Sequence, residues 1–200
     1  ELLGWDSELH KDFARSREIV RAGGVIAYPT DTFYGLGADP RNPDAVRKIF
    51  SIKGRQPDRP ILLLLHDRKE VNAWASSVTP LADMLMKRYW PGPLTLIFRA
   101  AQHVLPELTA GTETIGLRVP GNERTRSLLQ RLGTALTGTS ANRSGAANPR
   151  TAEDVMRELG DRIDLVLDGG PSPDDRPSTI VDVTGGMPRV LRNGAIDIDV

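Results

Sequence analysis

Short apolar runs alternate with capped helical segments along this chain, and that alternation limits the fold more than any other feature. Val25–Tyr28, Ile61–Leu65, Leu94–Phe98, Thr114–Val119, Ile163–Leu167, Ile180–Val183 and Val190–Leu191 are strand-length segments. The run Ile61–Leu65 is too short for a buried helix. Between them lie helices whose ends are written in the sequence. Asp6 or Ser7 can cap a helix carrying Leu9, Phe13, Ile19 and Val20, which stops at Gly23-Gly24. Asn42-Pro43 is a cap followed by a first-turn proline, and Gly54 ends the helix behind it, so Lys53 and Arg55 sit at its exit. Thr79-Pro80 opens a helix closed by Pro91-Gly92-Pro93, Asn122 caps one stopped by Gly133, and Thr151 with Asp154 opens one that runs to Gly160. A short apolar segment, Thr134–Leu136, follows Gly133. The expectation is one α/β domain over residues 1–200 built on a twisted, mixed sheet flanked by helices. Asp174-Asp175-Arg176-Pro177, in a Pro/Gly-rich stretch, reads as a mobile surface loop.

Charge is informative only once it is divided. The 26 basic and 26 acidic residues cancel, but residues 1–150 hold 21 basic against 15 acidic, and residues 151–200 hold 5 against 11. Arg47, Lys48, Lys53, Arg55 and Arg59 cluster around a single acid, Asp58. Such a cluster can hold a polyanion, or it can be a solvated helix end where cations complement the dipole. The chain has no cysteine, which excludes disulfides, thiolate metal sites and a cysteine nucleophile. No apolar run approaches the roughly 20 residues of a membrane span, and no signal-peptide pattern opens the sequence. A soluble, cytoplasmic protein is expected, and the start at Glu1 suggests either trimming or an artificial boundary.

The common nucleotide signatures are absent. There is no G-x-x-x-x-G-K-[ST], and Gly35-Leu36-Gly37 lacks its later glycine because Pro40 stands there. His10, His66 and His103 share no metal-ligand spacing. Polar residues are concentrated in turns after strands, where α/β proteins hold ligands: Pro29-Thr30-Asp31-Thr32, Arg118-Val119-Pro120 and Thr139-Ser140-Ala141-Asn142, with Lys53-Gly54-Arg55 beside Arg59-Pro60. Each also has a plain reading as a turn, a cap or a surface residue. Four together in one small domain point to a site.

Seven segments then occur in a fixed order: Gly24-Val-Ile-Ala-Tyr-Pro-Thr-Asp-Thr-Phe-Tyr-Gly-Leu-Gly37, Lys53-Gly-Arg55, Trp90-Pro-Gly-Pro-Leu-Thr95, Arg118-Val-Pro120, Ser140-Ala-Asn142 with Ser144-Gly145, Ser178-Thr-Ile-Val-Asp182 and Leu191-Arg-Asn-Gly-Ala-Ile196. In these the chain resembles the YrdC-like family of threonylcarbamoyl-adenylate synthases, over about residues 12–196. The Lys-x-Arg and Ser-x-Asn pairs discriminate, since divergent paralogues can lose them.

The resemblance implies a deep, positively lined cavity and a reaction in which L-threonine, bicarbonate and ATP give L-threonylcarbamoyl-AMP, pyrophosphate and water. The product would serve threonylcarbamoylation of adenosine 37 in tRNA, completed by a separate transferase complex. By resemblance, Arg55, Arg59, Ser140, Asn142 and Arg192 face the nucleotide, with Thr114 and Asn148 on the same side. Thr32, Lys53, Arg118 and Ser178 would meet threonine, and Lys53 and Arg55 supply cations for the transfer. Such chemistry depends on positioning and charge neutralisation, which suits cations and donors better than a nucleophile. Mg2+ is expected between the phosphates, held by them and water.

The chain departs from the family at three places. Arg59-Pro60-Ile61 stands where members often have Asn-Pro-Leu, Leu64 where a histidine often follows the strand, and Asn148-Pro149-Arg150 where Ser-Pro-Thr is common. His66 is left outside the site. Longer members carry a further C-terminal domain, so this is either a short form or the catalytic part of a longer chain. Two other functions stay open: a tRNA- or double-stranded-RNA-binding protein of the same superfamily without synthase activity, and a carbamoyl-adenylate-forming domain of a hydrogenase-maturation protein. Ser140-x-Asn142 favours the enzyme, because shape-based RNA binding needs basic residues but not that turn.

Overall fold

The computed structural model describes residues 1–5, 10–56 and 58–198, with only the backbone given for His10 and Lys11. The cap expected at Asp6 or Ser7, and Leu9, lie outside the described residues. The elements run β1 (Leu2–Gly4), α1 (His10–Arg21), β2 (Ile26–Tyr28), β3 (Gly35–Gly37), α2 (Pro43–Lys53), β4 (Leu63–Leu64), α3 (Pro80–Tyr89), β5 (Leu94–Arg99), α4 (Pro106–Thr109), β6 (Thr114–Arg118), α5 (Glu123–Leu132), β7 (Leu136–Thr137), β8 (Thr139–Ser140), α6 (Ala152–Leu159), β9 (Leu165–Asp168), β10 (Thr179–Asp182) and β11 (Arg189–Arg192). Two 3₁₀ turns occupy Arg68–Ala73 and Gly160–Arg162.

Helix ends follow the sequence closely because the caps are local chemistry. The Asn42 side chain accepts from the backbone N–H of Asp44 and Ala45, Pro43 starts α2 without needing a donor, and Gly54 closes it in the left-handed region at φ 58°. Thr79 and Asn122 cap α3 and α5 in the same way, and Thr151 with Asp154 makes a reciprocal capping box on α6. Apolar residues Ala45, Val46, Ile49 and Phe50 then give α2 one buried face.

The strands form two mixed sheets instead of one. The first has the order β1-β9-β2-β3-β8, the second β11-β10-β5-β6-β4-β7. In the first, β1, β9 and β2 are parallel, and β3 and β8 add antiparallel. In the second, β10 runs parallel to β5 and β4 to β6, with antiparallel pairs between β5 and β6, at β11 and at β7. Only Gly138 separates β7 from β8, so the chain passes from one sheet to the other at that residue. A Cβ at Gly138 would stand 2.5 Å from Leu62 Cδ1, which explains why the crossing residue is glycine.

A shared core binds the sheets into a single α/β domain. Ala27, Leu36 and Val166 of the first sheet belong to the same buried cluster as Leu63, Leu96, Leu117 and Val181 of the second. Sequence patterning missed β1, β3, β8, α4 and both 3₁₀ turns. β3 is Gly-Leu-Gly and β8 is two residues long, so neither carries a period-two signal. The ladder in the Ile61–Leu65 run shrinks to Leu63–Leu64, although Ile61 N still donates to Leu108 O and Leu65 N to Arg118 O. The Asp174–Arg176 segment is a surface loop, closed by Asp174 accepting from the N–H of Asp175 and Arg176, with Arg176 reaching Ala195 O.

Candidate functional site

Alternation along the second sheet builds one wall of a cavity. Leu94, Leu96 and Phe98 on β5, with Ile115 and Leu117 on β6, turn into the core. Their neighbours Thr95, Ile97, Gly116 and Arg118 consequently face the other way and line a cavity of about 500 Å³. Further walls come from the Thr30–Gly35 turn after β2, the Arg55–Leu62 segment beyond α2, Gly138–Ser140, and Ser178 with Arg192 at β10 and β11. Among the described residues the lining contains four arginines, Arg55, Arg59, Arg118 and Arg192, and no acidic residue.

Eight of the eleven residues expected in the site line this one cavity: Thr32, Arg55, Arg59, Arg118, Ser140, Asn148, Ser178 and Arg192. Lys53 and Asn142 sit directly behind it. The Lys53 ammonium is buried and gives its three donors to Ser140 O, Asn142 O and Asn142 Oδ1, at 2.5, 2.8 and 3.2 Å. Burial, then the charge of Arg55, pushes its pKa down to about 8. Three surrounding acceptors favour the charged form, so Lys53 remains an ammonium at neutral pH and holds the Ser140–Asn142 turn in shape. Asn142 Oδ1 in turn accepts from Ser140 Oγ at 2.6 Å, and its amide donates to Ala146 O at 2.7 Å. Thr114 is not brought to the cavity. It lies on the face of β6 shared with Gly116 and Arg118, but four residues before Arg118, roughly 13 Å along an extended strand; its hydroxyl meets Thr112 Oγ1 instead.

Arg118 is fixed from all sides. Nε donates to Gly92 O at 3.0 Å, Nη1 to Thr32 Oγ1 at 3.1 Å, and Nη2 to Asp31 Oδ1 in an ion pair whose arginine side chain is 5% exposed. Thr32 is held besides by Thr30, whose hydroxyl accepts from Thr32 N and donates to Phe33 O. Thr30 and Asp31 belong to the Pro29–Thr32 segment that points to a site in the sequence, but they are not among the expected ligand contacts; their place in the same Pro-Thr-Asp-Thr motif is the available signal.

Arg55 contrasts with this. Its Nη2 makes one long contact, 3.5 Å to Pro60 O, and its buried Nε has no partner. Burial, then neighbouring Arg59, pushes its pKa below the usual arginine value. Arg192 sits at the rim and turns its head inward, giving Nε and Nη2 to Ser178 O at 3.0 and 2.8 Å and Nη2 also to Ser178 Oγ at 3.1 Å. Gly194 makes that approach possible, because a Cβ there would lie 2.3 Å from Pro177 O and 2.5 Å from the Ser178 carbonyl carbon.

The basic cluster of residues 47–59 thus divides by role. Arg47 pairs with Asp44 and Glu107 and Lys48 caps Gly23 O, away from the cavity, while Arg55 and Arg59 line it. His66 pairs with Glu70, outside the cavity. No group of three His, Asp or Glu side chains suited to a metal ion occurs among the described residues, and none of their helices is long and apolar enough to cross a membrane.

An α/β domain with an arginine-lined cavity against one face of a mixed sheet is suited to an anionic small ligand. Comparison with known proteins narrows this class. The model of the Sua5/YciO/YrdC family, described as "Telomere recombination", matches residues 18–194. The chain belongs to that family, which includes the threonylcarbamoyl-AMP synthases. It is 40% identical to the threonylcarbamoyl-AMP synthase of Thiobacillus denitrificans over 86% of this chain and 90% of the relative. It is 38% identical to the Bacillus subtilis protein of the same name over 92% of this chain. Among solved structures, P. abyssi Sua5 complexed with L-threonine superposes with a TM-score of 0.94 at 31% identity, covering 97% of this chain. The chain spans about half the length of the B. subtilis and P. abyssi proteins, at 53% and 57%.

Proposed function

We propose that this domain is a nucleotidyltransferase that makes L-threonylcarbamoyl-AMP and pyrophosphate from L-threonine, bicarbonate and ATP. The observation that carries the reading is the gathering of Arg55, Arg59, Ser140, Asn148 and Arg192 with Thr32, Arg118 and Ser178 around one cavity. The threonylcarbamoyl-AMP synthases at 38–40% identity support it, as does the threonine complex of the Sua5 relative.

Chemically, the threonine amine adds to bicarbonate with loss of water, giving a carbamate. A carbamate oxygen then attacks the α-phosphorus of ATP, the bond to the β-phosphate breaks, and pyrophosphate leaves. The donors of Thr32, Arg118 and Ser178 suit the amino acid's carboxylate and hydroxyl. Arg55, with an unpaired buried Nε, and Arg59 suit phosphate oxygens, where a planar guanidinium can grip two at once. Lys53 and Asn142 act through the Ser140 turn that they hold. Magnesium fits this site as an ion brought by the triphosphate, since among the described residues the cavity wall offers hydroxyls and cations and no carboxylate. When bound it neutralises phosphate charge. The product would pass to a threonylcarbamoyl transferase complex acting on tRNA.

Incubating the protein with ATP, magnesium and bicarbonate, with threonine, serine or no amino acid, tests the proposal. Threonine-dependent pyrophosphate release with the adenylate seen by mass spectrometry is the expected result. Absence of product from folded, ATP-binding protein, together with RNA affinity that falls steeply with salt, would shift the function to RNA binding.

A further inference from the structure

Thr95 is fully buried in the cavity wall, and its hydroxyl has one partner among the described residues, Ser178 Oγ at 2.8 Å. Ser178 Oγ also receives Arg192 Nη2 at 3.1 Å. A hydroxyl carries one proton and two acceptor positions, so the direction of the Thr95–Ser178 bond can be decided by accounting. If Ser178 donated to Thr95, the Thr95 proton would be left without an acceptor in a place that water does not reach. If Thr95 donates, its proton is satisfied, Ser178 accepts from both Thr95 and Arg192, and the one remaining Ser178 proton points to the cavity. The second arrangement leaves only the Ser178 proton without a protein acceptor, on the side where a cavity occupant can accept it.

We infer that Thr95 is a positioning residue that fixes Ser178 as a hydrogen-bond donor to the cavity, so that Ser178 reads an acceptor oxygen, the carboxylate of the amino-acid substrate. The inference rests on the synthase reading for the identity of that substrate. Its surroundings suit an anion. Arg118 lines the same cavity, and burial followed by the charge of Arg118 depresses the pKa of Arg192 even though the residue as a whole is exposed at the rim. Thr95 touches no cavity occupant in this scheme and acts only through Ser178, which makes it separable from the groups that bind directly.

Calorimetric binding of L-threonine to wild type, Thr95→Val, Thr95→Ser, Ser178→Ala and the Thr95→Val/Ser178→Ala double variant tests this, with thermal melting to verify folding and steady-state kinetics alongside. Thr95→Val keeps the side chain's shape and removes the hydroxyl. It is expected to weaken threonine binding about fivefold, the effect of one hydrogen bond, with the KM for ATP unchanged within about twofold. Thr95→Ser should restore binding, and Thr95→Val should add nothing in the Ser178→Ala background. Unchanged threonine affinity in Thr95→Val, an equal loss in the Ser178→Ala background, or a Thr95→Ser variant as weak as Thr95→Val would each overturn the inference. A wild-type protein that binds threonine but releases no pyrophosphate would count against the synthase reading alone. A wild-type protein that does not bind threonine would overturn both.

Discussion

Arg118 and Arg55 line the same cavity and use their charge in opposite ways. Arg118 is almost wholly buried, and each of its donor nitrogens already has a protein partner, Asp31 among them. Arg55 is half-buried at the exit of a helix, with an unpartnered Nε and one marginal contact to Pro60 O. The first is part of the architecture and presents a preformed surface to whatever binds beside Thr32 and Ser178. The second holds its donors in reserve, at the cost of half-burying a charge that Asp58 attracts without a salt bridge among the described residues. A site that must choose one small amino acid benefits from the former, because ordering costs are met on folding. A site that grips a flexible polyphosphate can use the latter, since the ligand itself completes the hydrogen bonds.

The contrast predicts different responses to truncation. Arg118→Ala leaves Asp31, partly buried and with its Oδ2 already unpartnered, without its counter-ion, so it should destabilise the fold by about 3 kcal/mol and abolish threonine-dependent turnover together. Differential scanning calorimetry should show a fall of roughly 10 °C in melting temperature. A variant that melts like the wild type would mean that the Arg118–Asp31 pair is not structural.

Arg55→Ala should lower kcat/KM on the order of 100-fold or more while moving stability by less than about 1 kcal/mol, since no bond of consequence is lost. The measurement is pyrophosphate release beside a urea melt. Near-normal turnover would remove Arg55 from the nucleotide role, and a large loss of stability would erase the distinction from Arg118.

The last contrast concerns Lys53 and pH. Its pKa in the folded protein, about 8, lies below the ordinary lysine value of 10.5. Between those values the unfolded chain binds the proton more strongly, so this group's contribution to stability rises with pH across that window, by up to about 3 kcal/mol. Activity should move the other way. Losing the proton removes one of three donors from the Ser140–Asn142 turn, so turnover should decline as pH rises through about 8 while the melting temperature does not fall with it. A parallel decline of both would show that the profile reports unfolding and not the turn.

Legibility from sequence followed the range of the forces involved. Caps at Asn42, Thr79, Asn122 and Thr151 are bonds across two or three residues, and all four were readable. The strand Gly35–Gly37 was not, because its strand state depends on neighbours β2 and β8, far apart in the chain. The division into two sheets was equally hidden, since it rests on pairings between strands far apart in the chain, and at β7–β8 the chain changes sheet across one glycine. Motif resemblance singled out Arg55, Ser140, Arg118 and Ser178, which line the cavity, and Thr114, which stands four residues before Arg118 and does not line it. Thr95 and Asp31 were both inside recognised motifs; only their partners 83 and 87 residues away give them roles.

The sequence by itself determined the α/β class, the capped ends of α2, α3, α5 and α6, the family and most of the side chains around the cavity, because propensity, capping and motif order are local or linear properties. Tertiary structure alone decided which charges are spent and which are free. Lys53 reads as a substrate cation in the sequence and becomes a brace when three oxygens from Ser140 and Asn142 surround it. Whether a charged group serves the fold or a ligand depends on which acceptors lie within 3 Å of it, and that is fixed only when distant segments pack together.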